Sequence, residues 1–205
     1  MATKKQLAEQ AMRIILGGTP TVDREIDIRE VMLFLDQARD LTIKLTALQS
    51  RKAGIHEVST DYLSQYEDVS IQTDAAKQLR YITLPASPID LPDEMGIYMI
   101  SAMQNPEIGF FRIAGVGLPL YRDMLSVNVE AFTYYWVVGS KVYFKNVDPT
   151  LGEVLVTMVA SSKDIAEDAN YPVPPDVEAT LLEQIIKVFA VMQEAPHDEI
   201  TDGVK

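Results

Sequence analysis

The sequence predicts an α+β protein with an N-terminal helical pair, a central antiparallel β-rich domain containing a hairpin, and a C-terminal closing helix. Apolar residues recur at helical spacing in the N-terminal part, and short alternating runs separated by turn residues follow. A proline-rich segment then leads into a last amphipathic stretch. We therefore expect three segments, at 1–55, 56–170 and 171–205, that form one folded unit.

The first helix is predicted from its two ends. Thr3 followed by Gln6 is a capping-box pair, which satisfies two of the free amides at a helix start. Gly17, Gly18 and then Pro20 are typical of a helix end. The pattern predicts a short helix with a sharp exit.

A second, longer helix is predicted from Asp27, with Glu30 three residues later, to about Arg51. Its apolar positions lie three or four apart and predict the core face: Val31, Leu35, Ala38, Leu41, Leu45 and Leu48. The predicted polar face contains Arg29, Asp36, Arg39, Asp40 and Lys44. At about 1.5 Å per residue such a helix is roughly 35 Å long, more than a small core needs. It either braces a β-domain or packs against a neighbouring subunit.

The middle of the chain alternates with strand periodicity. The clearest signal is a hairpin at 134–145, in which the two-residue loop Gly139–Ser140 suits a type II′ turn. Further strands are predicted at 69–72, 79–84, 96–100 and 109–113. The run at 154–160 is expected to pair beside the hairpin as the third strand of a meander.

The segment at 170–176 has three prolines in four positions, and we call residues 171–175 the strap. Proline lacks an amide donor and pushes the residue before it towards extended conformations, which excludes a central strand or a helix interior. We expect a rigid, exposed strap that leads into an amphipathic helix at 177–192.

Composition indicates an ordinary globular protein, with 47% hydrophobic and 23% charged residues in 205. The sequence has no cysteine, which excludes disulfides, thiolate metal sites and cysteine nucleophiles. No apolar run is long enough to span a bilayer, and the N-terminus does not look like a secretory signal. We therefore expect a soluble protein synthesised in a cytoplasm.

The net charge of −12 is unevenly distributed. Residues 1–55 carry nine Lys and Arg against seven Asp and Glu, whereas residues 56–205 carry nine against twenty-three. Tight binding to a nucleic-acid backbone needs a basic surface, so we expect no appreciable binding of duplex DNA. The acidic excess indicates a solvated surface or, alternatively, a wall past which DNA slides without binding.

Residues that could carry chemistry are few. His56 and His197 are the only histidines, Gly115 and Gly117 lack the third glycine of a dinucleotide loop, and no phosphate-binding loop is present. Two acidic groups, 90–94 and 164–168, could hold a hard cation, but capping and loop roles explain them more simply. We expect no catalytic residue, no cofactor and no metal.

The order of several segments resembles neck or ring proteins of tailed bacteriophages, with the greatest similarity to crAss-like phages. The segments are 23–30, 84–92, the hairpin with Trp136 and 142–144, the strand at 154–156, and 170–176 before the last helix. The resemblance covers most of the chain, and its motifs are architectural.

This resemblance implies a non-enzymatic virion protein, a head-to-tail connector in the neck or tail region. The subunit is expected to form a homo-oligomeric ring, a dodecamer by the resemblance, below the portal and against other neck and tail proteins. DNA passes through the channel of such a ring without specific binding. The residues expected at the assembly interface are Leu41, Tyr171, Pro172, Pro174 and Pro175.

Two other hypotheses remain open on the sequence. The first is a small α+β enzyme or ligand-binding domain, with a pocket between the β-sheet and the long helix built from residues such as Tyr81, Arg112 and Asp123. The second is a minor cargo or tail protein of the same virus, which shares the composition.

Overall fold

The computed structural model of the chain describes residues 2–16, 26–55, 58–92, 95–113 and 132–194. These residues form three α-helices and two sheets rich in antiparallel pairs, which confirms the predicted α+β class. The chain divides into a helical unit, Met1–Thr46 with Ile165–Lys205, and a β unit, Ala47–Asp164. The predicted first and last segments of the chain thus contribute to the same compact unit.

The first two helices start where the sequence predicts, and the last one starts two residues earlier than predicted. Helix α1 (Lys4–Ile15) has the capping box, in which the Gln6 amide donates to Thr3 Oγ1 (3.2 Å) and the Thr3 amide to Gln6 Oε1 (3.0 Å). Helix α2 spans Ile28–Lys52 and is preceded by Asp27, whose Oδ1 accepts from the Arg29 amide (2.9 Å). Helix α3 spans Pro175–Glu194.

One apolar core joins the three helices of the helical unit to the strap. Its buried members are Leu7, Ala8, Ala11, Val31, Met32, Leu35, Tyr171, Val173, Leu181, Leu182, Ile185 and Phe189. Phe34 and Phe189 meet edge to face with ring centroids 5.3 Å apart, which places α2 against α3. The strap therefore belongs to the interior of this unit.

The predicted core face of α2 is only half right. The buried positions follow a spacing of four: Val31, Leu35, Arg39, Ile43 and Ala47. Leu41, Leu45 and Leu48, which the sequence predicts in the core, are exposed, and Arg39, predicted on the polar face, is fully buried. The helix is apolar on two sides, so spacing alone could not identify the side that packs.

The described residues of the β unit form nine strands in two sheets. The strands are β1 (Ser64–Ser70), β2 (Gln72–Asp74), β3 (Leu79–Thr83), β4 (Ile97–Ala102), β5 (Asn105–Gly109), β6 (Phe111–Arg112), β7 (Tyr134–Val138), β8 (Lys141–Lys145) and β9 (Glu153–Met158). One sheet has the order β1-β9-β4-β5 and the other β2-β3-β8-β7-β6. All pairs are antiparallel except β6 with β7.

The predicted hairpin is confirmed as β7 and β8, with Val138 opposite Lys141 across the turn. Gly139 has a φ of +61° and Ser140 has no positive φ, as a type II′ turn requires. The predicted meander, however, is wrong. Strand β3 takes the free edge of β8, and β9 lies between β1 and β4 in the other sheet.

The two sheets share one apolar core and form a sandwich. The four-stranded sheet contributes Ile97, Ile100, Val154, Val156 and Met158, and the five-stranded sheet contributes Ile82, Tyr135, Val142 and Phe144. Side chains alternate along a strand, so the neighbours of these residues point to the outer faces.

A Leu→Ala substitution should affect stability differently on the two sides of α2. Leu35 is fully buried and Leu45 is 50% exposed. We expect Leu35→Ala to lower the free energy of unfolding by about 3 kcal/mol, because it removes buried apolar area and leaves a cavity. Leu45→Ala should cost less than about 1 kcal/mol. Chemical denaturation of both variants is the measurement, and equal losses would show that α2 packs as the sequence pattern alone suggests.

Candidate functional site

The strap is held along the chain's own N-terminus. The Tyr171 amide donates to the carbonyl of Ala2 (3.1 Å), and Thr3 forms an isolated antiparallel bridge with Asn170. Tyr171, Pro172 and Pro174 are buried, and Pro175 is exposed at the start of α3. The expectation of an exposed strap is therefore wrong except at Pro175.

Arg39 of α2 binds the strap. Its Nε donates to the carbonyl of Pro172 (3.1 Å), and the guanidinium lies 5.3 Å from the centre of the Tyr171 ring. Nη1 is 3.4 Å from Asp40 Oδ1. A fully buried cation is costly unless such partners replace its hydration, so these contacts fix the position of the strap relative to α2.

A second polar group ties the strap to α1. Lys4 Nζ contacts Asp36 Oδ2 at 2.6 Å, and the Tyr171 hydroxyl lies 3.1 Å from Asp36 Oδ1 and 3.4 Å from the Leu35 carbonyl. Burial raises the pKa of Asp36 above its ordinary value of 3.8, although the hydrogen bonds from Lys4 and Tyr171 act to lower it. The group thus links α1, α2 and the strap through one carboxyl group.

Leu41 lies on the surface of the same unit. Its side chain is 55% exposed, and it lines an apolar groove of about 250 Å³ between α2 and α3. The other residues of the groove are Phe34, Gln37, Ala38, Gln184, Ile185 and Val188. Leu45 follows one helical turn after Leu41 and is also exposed. Of the five residues expected at an assembly interface, only Leu41 and Pro175 thus present an exposed side chain.

Of the residues suggested for an enzyme pocket, the two that the structure describes lie on opposite sides of the five-stranded sheet. Tyr81 pairs with Tyr143, which pairs with Trp136 on the outer face of the five-stranded sheet. Arg112 pairs with Tyr135, a core residue, and so lies on the opposite side. Asp123 lies outside the described residues, as do both histidines and the pair Gly115 and Gly117.

Among the acidic residues weighed as cation ligands, Asp164 has another role, because its Oδ2 accepts a hydrogen bond from the Ser87 amide (2.6 Å). Within the described ranges, no group of three His, Cys, Asp or Glu residues could hold a metal ion.

An aromatic row on the outer face of the five-stranded sheet was not predicted as a unit. Trp136 stacks on Tyr143 with centroids 5.8 Å apart, and Tyr143 is 5.7 Å from Tyr81. Lys77 Nζ lies 4.6 Å above the Tyr143 ring and donates to its hydroxyl (3.1 Å), which raises the pKa of Lys77. Lys141 lies 4.3 Å above Tyr81. Aromatic residues at alternate positions of the hairpin were the sequence signal for this row.

Comparison with known proteins gives no relative: no protein-family model matches the chain, and neither does any curated protein. Among the helices in the described ranges, none is long and apolar enough to cross a membrane. The functional assignment consequently depends on the residues and contacts of this chain.

The buried guanidinium predicts a large loss of stability on truncation. We expect Arg39→Ala to lower the free energy of unfolding by about 3 kcal/mol or more, because it leaves a cavity and an unpaired Pro172 carbonyl. Lys44→Ala, an exposed cation on the same helix, is the control and should change it by less than about 0.5 kcal/mol. Urea denaturation compares the two, and a small effect of Arg39→Ala would mean that the strap does not depend on this contact.

Asp36 predicts a specific pH dependence. Its folded pKa is raised, so the folded state binds the proton more tightly, and the resulting stabilisation is lost as pH rises through that pKa. The stability of the wild type relative to Asp36→Asn should therefore fall as pH rises above about 4, the range of the unfolded carboxyl group, through the raised folded pKa. Tyr171→Phe removes a hydrogen bond that lowers the pKa, so it should extend the fall to higher pH. A relative stability that increases with pH would show that the Lys4 ion pair dominates.

Proposed function

We propose that this chain is a non-enzymatic structural protein of a tailed-bacteriophage virion. In this proposal it is a head-to-tail connector, and copies of it form a homo-oligomeric ring below the portal, around the channel through which DNA leaves. Other neck and tail proteins contact the ring.

The observation that carries the proposal is the apolar groove that contains Leu41. Large apolar side chains left exposed on a helix, next to a groove between two helices, are typical of a surface that another protein covers. Leu41, Leu45 and Leu48 recur four and three residues apart on one side of α2, so they form a continuous row. The partner for this row is a neighbouring subunit or the portal.

The rigidity of the helical unit also supports an architectural role. The strap is fixed by a buried cation, a ring contact and a carboxylate network, which together hold α2 and α3 in one arrangement. A subunit that repeats around a ring needs such fixed surfaces, because small errors in angle accumulate from copy to copy.

The charge of the chain suits a channel protein. Acidic residues outnumber basic ones, 30 to 18, and a negative wall repels phosphate and lets DNA slide. This feature supports the proposal only in combination with the apolar surface, because an acidic excess also keeps ordinary proteins soluble.

The oligomeric mass of the purified chain tests the proposal, measured by mass photometry with and without the portal protein of the same virus. We expect closed rings of the wild type, and their loss in Leu41→Asp, because a carboxylate cannot be buried in an apolar contact without a partner. Thr46→Asp adds the same charge at an exposed position on another side of α2 and should assemble normally.

A wild-type chain that remains monomeric under both conditions would contradict the proposal and favour a small enzyme or ligand-binding domain. Equal assembly of both variants would show that the Leu41 row is not a contact between subunits.

A further inference from the structure

We infer that the two outer faces of the β unit, one basic and one acidic, are the two halves of a head-to-tail contact between copies of this chain. The inference rests on the proposed function, because it names the surfaces through which neighbouring ring subunits would bind each other.

The five-stranded sheet is basic in a strongly acidic chain. Its strands contain four basic residues and one acidic residue, a net charge of +3: Arg80, Arg112, Lys141, Lys145 and Asp74. The turn between β2 and β3 adds Lys77. The lysines of this sheet lie on its outer side, since Lys141 and Lys145 are two residues from Tyr143 and Lys77 covers the Tyr143 ring.

The two arginines lie on the inner side of the same sheet. Arg80 pairs with Phe144 of the core and donates to the carbonyls of Asp148 and Leu151. Arg112 pairs with Tyr135, also a core residue. The outer side of this sheet therefore carries the three lysines together with Asp74, which pairs with Leu79 two residues from Tyr81, and its net charge is +2.

The four-stranded sheet has the opposite charge. Its strands contain four acidic residues and no basic residue, a net charge of −4: Glu67, Asp68, Glu107 and Glu153. All four side chains are exposed. Because the two sheets pack face to face, their outer faces lie on opposite sides of the sandwich.

Each sheet also exposes large apolar side chains. On the basic side, Phe111 and Val138 are half exposed and pair with outward residues of neighbouring strands. On the acidic sheet, Tyr98 is half exposed. Apolar contacts surrounded by charges of opposite sign are what a specific protein interface requires.

A second copy of the chain is the partner that these features fit. Unlike faces on opposite sides of one subunit bind head to tail, and such a contact forms a ring when the rotation closes. Complementary charge directs the encounter and excludes contacts between like faces. A single-stranded nucleic acid on the lysines and aromatic rings is a different occupant, and the experiment below distinguishes it.

The test is a charge exchange between the two faces. Lys141→Glu/Lys145→Glu changes the net charge of the five-stranded sheet from +3 to −1, so that both sheets are acidic. Glu67→Lys/Glu107→Lys/Glu153→Lys changes the net charge of the four-stranded sheet from −4 to +2, so that both sheets are basic. We expect each variant to associate with itself about tenfold more weakly than the wild type, because like charges then meet. Mixed in equal amounts, the two variants should associate with each other and recover oligomers, since every contact again joins opposite charges. A misfolded variant could not recover in this way.

Lys5→Glu/Lys52→Glu is the control, because it changes the net charge by the same amount as Lys141→Glu/Lys145→Glu, but at exposed positions outside both sheets. Sedimentation velocity at low and moderate salt measures all four proteins and the mixture. Recovery only in the mixture supports the inference. Wild-type rings together with undiminished assembly of both variants would overturn the inference and leave the proposed function standing, whereas a monomeric wild type would contradict both. The inference would also be overturned if the chain binds a single-stranded oligonucleotide and Lys141→Glu/Lys145→Glu abolishes that binding but leaves assembly unchanged.

Discussion

The helical unit depends on the burial of one cation, Arg39. The strap is rich in proline, so it has few amide donors, and its carbonyls must find donors elsewhere when they are buried. Arg39 supplies one to Pro172 and places its guanidinium beside the Tyr171 ring. Tyr171 in turn meets Asp36, which pairs with Lys4. One polar chain of contacts thus determines how α1, α2 and the strap fit together, and the apolar core forms around it.

Once α2 is fixed by Arg39, the side of the helix that remains outside is also fixed. The row that begins at Leu41 cannot join the core of the helical unit, and it stays exposed as the surface that we propose binds a partner. The β unit also leaves surfaces exposed, because its sandwich buries the inner faces of the two sheets and leaves two outer faces of opposite charge. The chain therefore presents three chemically distinct surfaces, and the proposed ring subunit would use them for different neighbours.

Local signals in the sequence were sufficient for single elements. The Thr3 and Gln6 pair located the start of α1, and alternation around Gly139 gave both strands and the register of the hairpin. Local sequence patterns did not determine which helix side is buried or which strands pair over long range. Both sides of α2 carry apolar residues, so the burial of Arg39 instead of Leu41 is decided by tertiary packing. The position of β9 likewise depends on β3 having taken the edge of β8. Of the candidate interface, the sequence identified Leu41 but could not show that most of the strap is internal.

The division of the chain has a consequence for biosynthesis. The helical unit combines Met1–Thr46 with Ile165–Lys205, so its two parts are separated by the whole β unit in the order of translation. The β unit can fold on the ribosome while α1 and α2 still lack the strap and α3. The groove beside Leu41 needs Ile185 and Val188 from α3, and it forms only after the last helix has emerged. Nascent chains on one polysome therefore lack this groove, and the proposed contact at Leu41 would be delayed until the last helix has emerged.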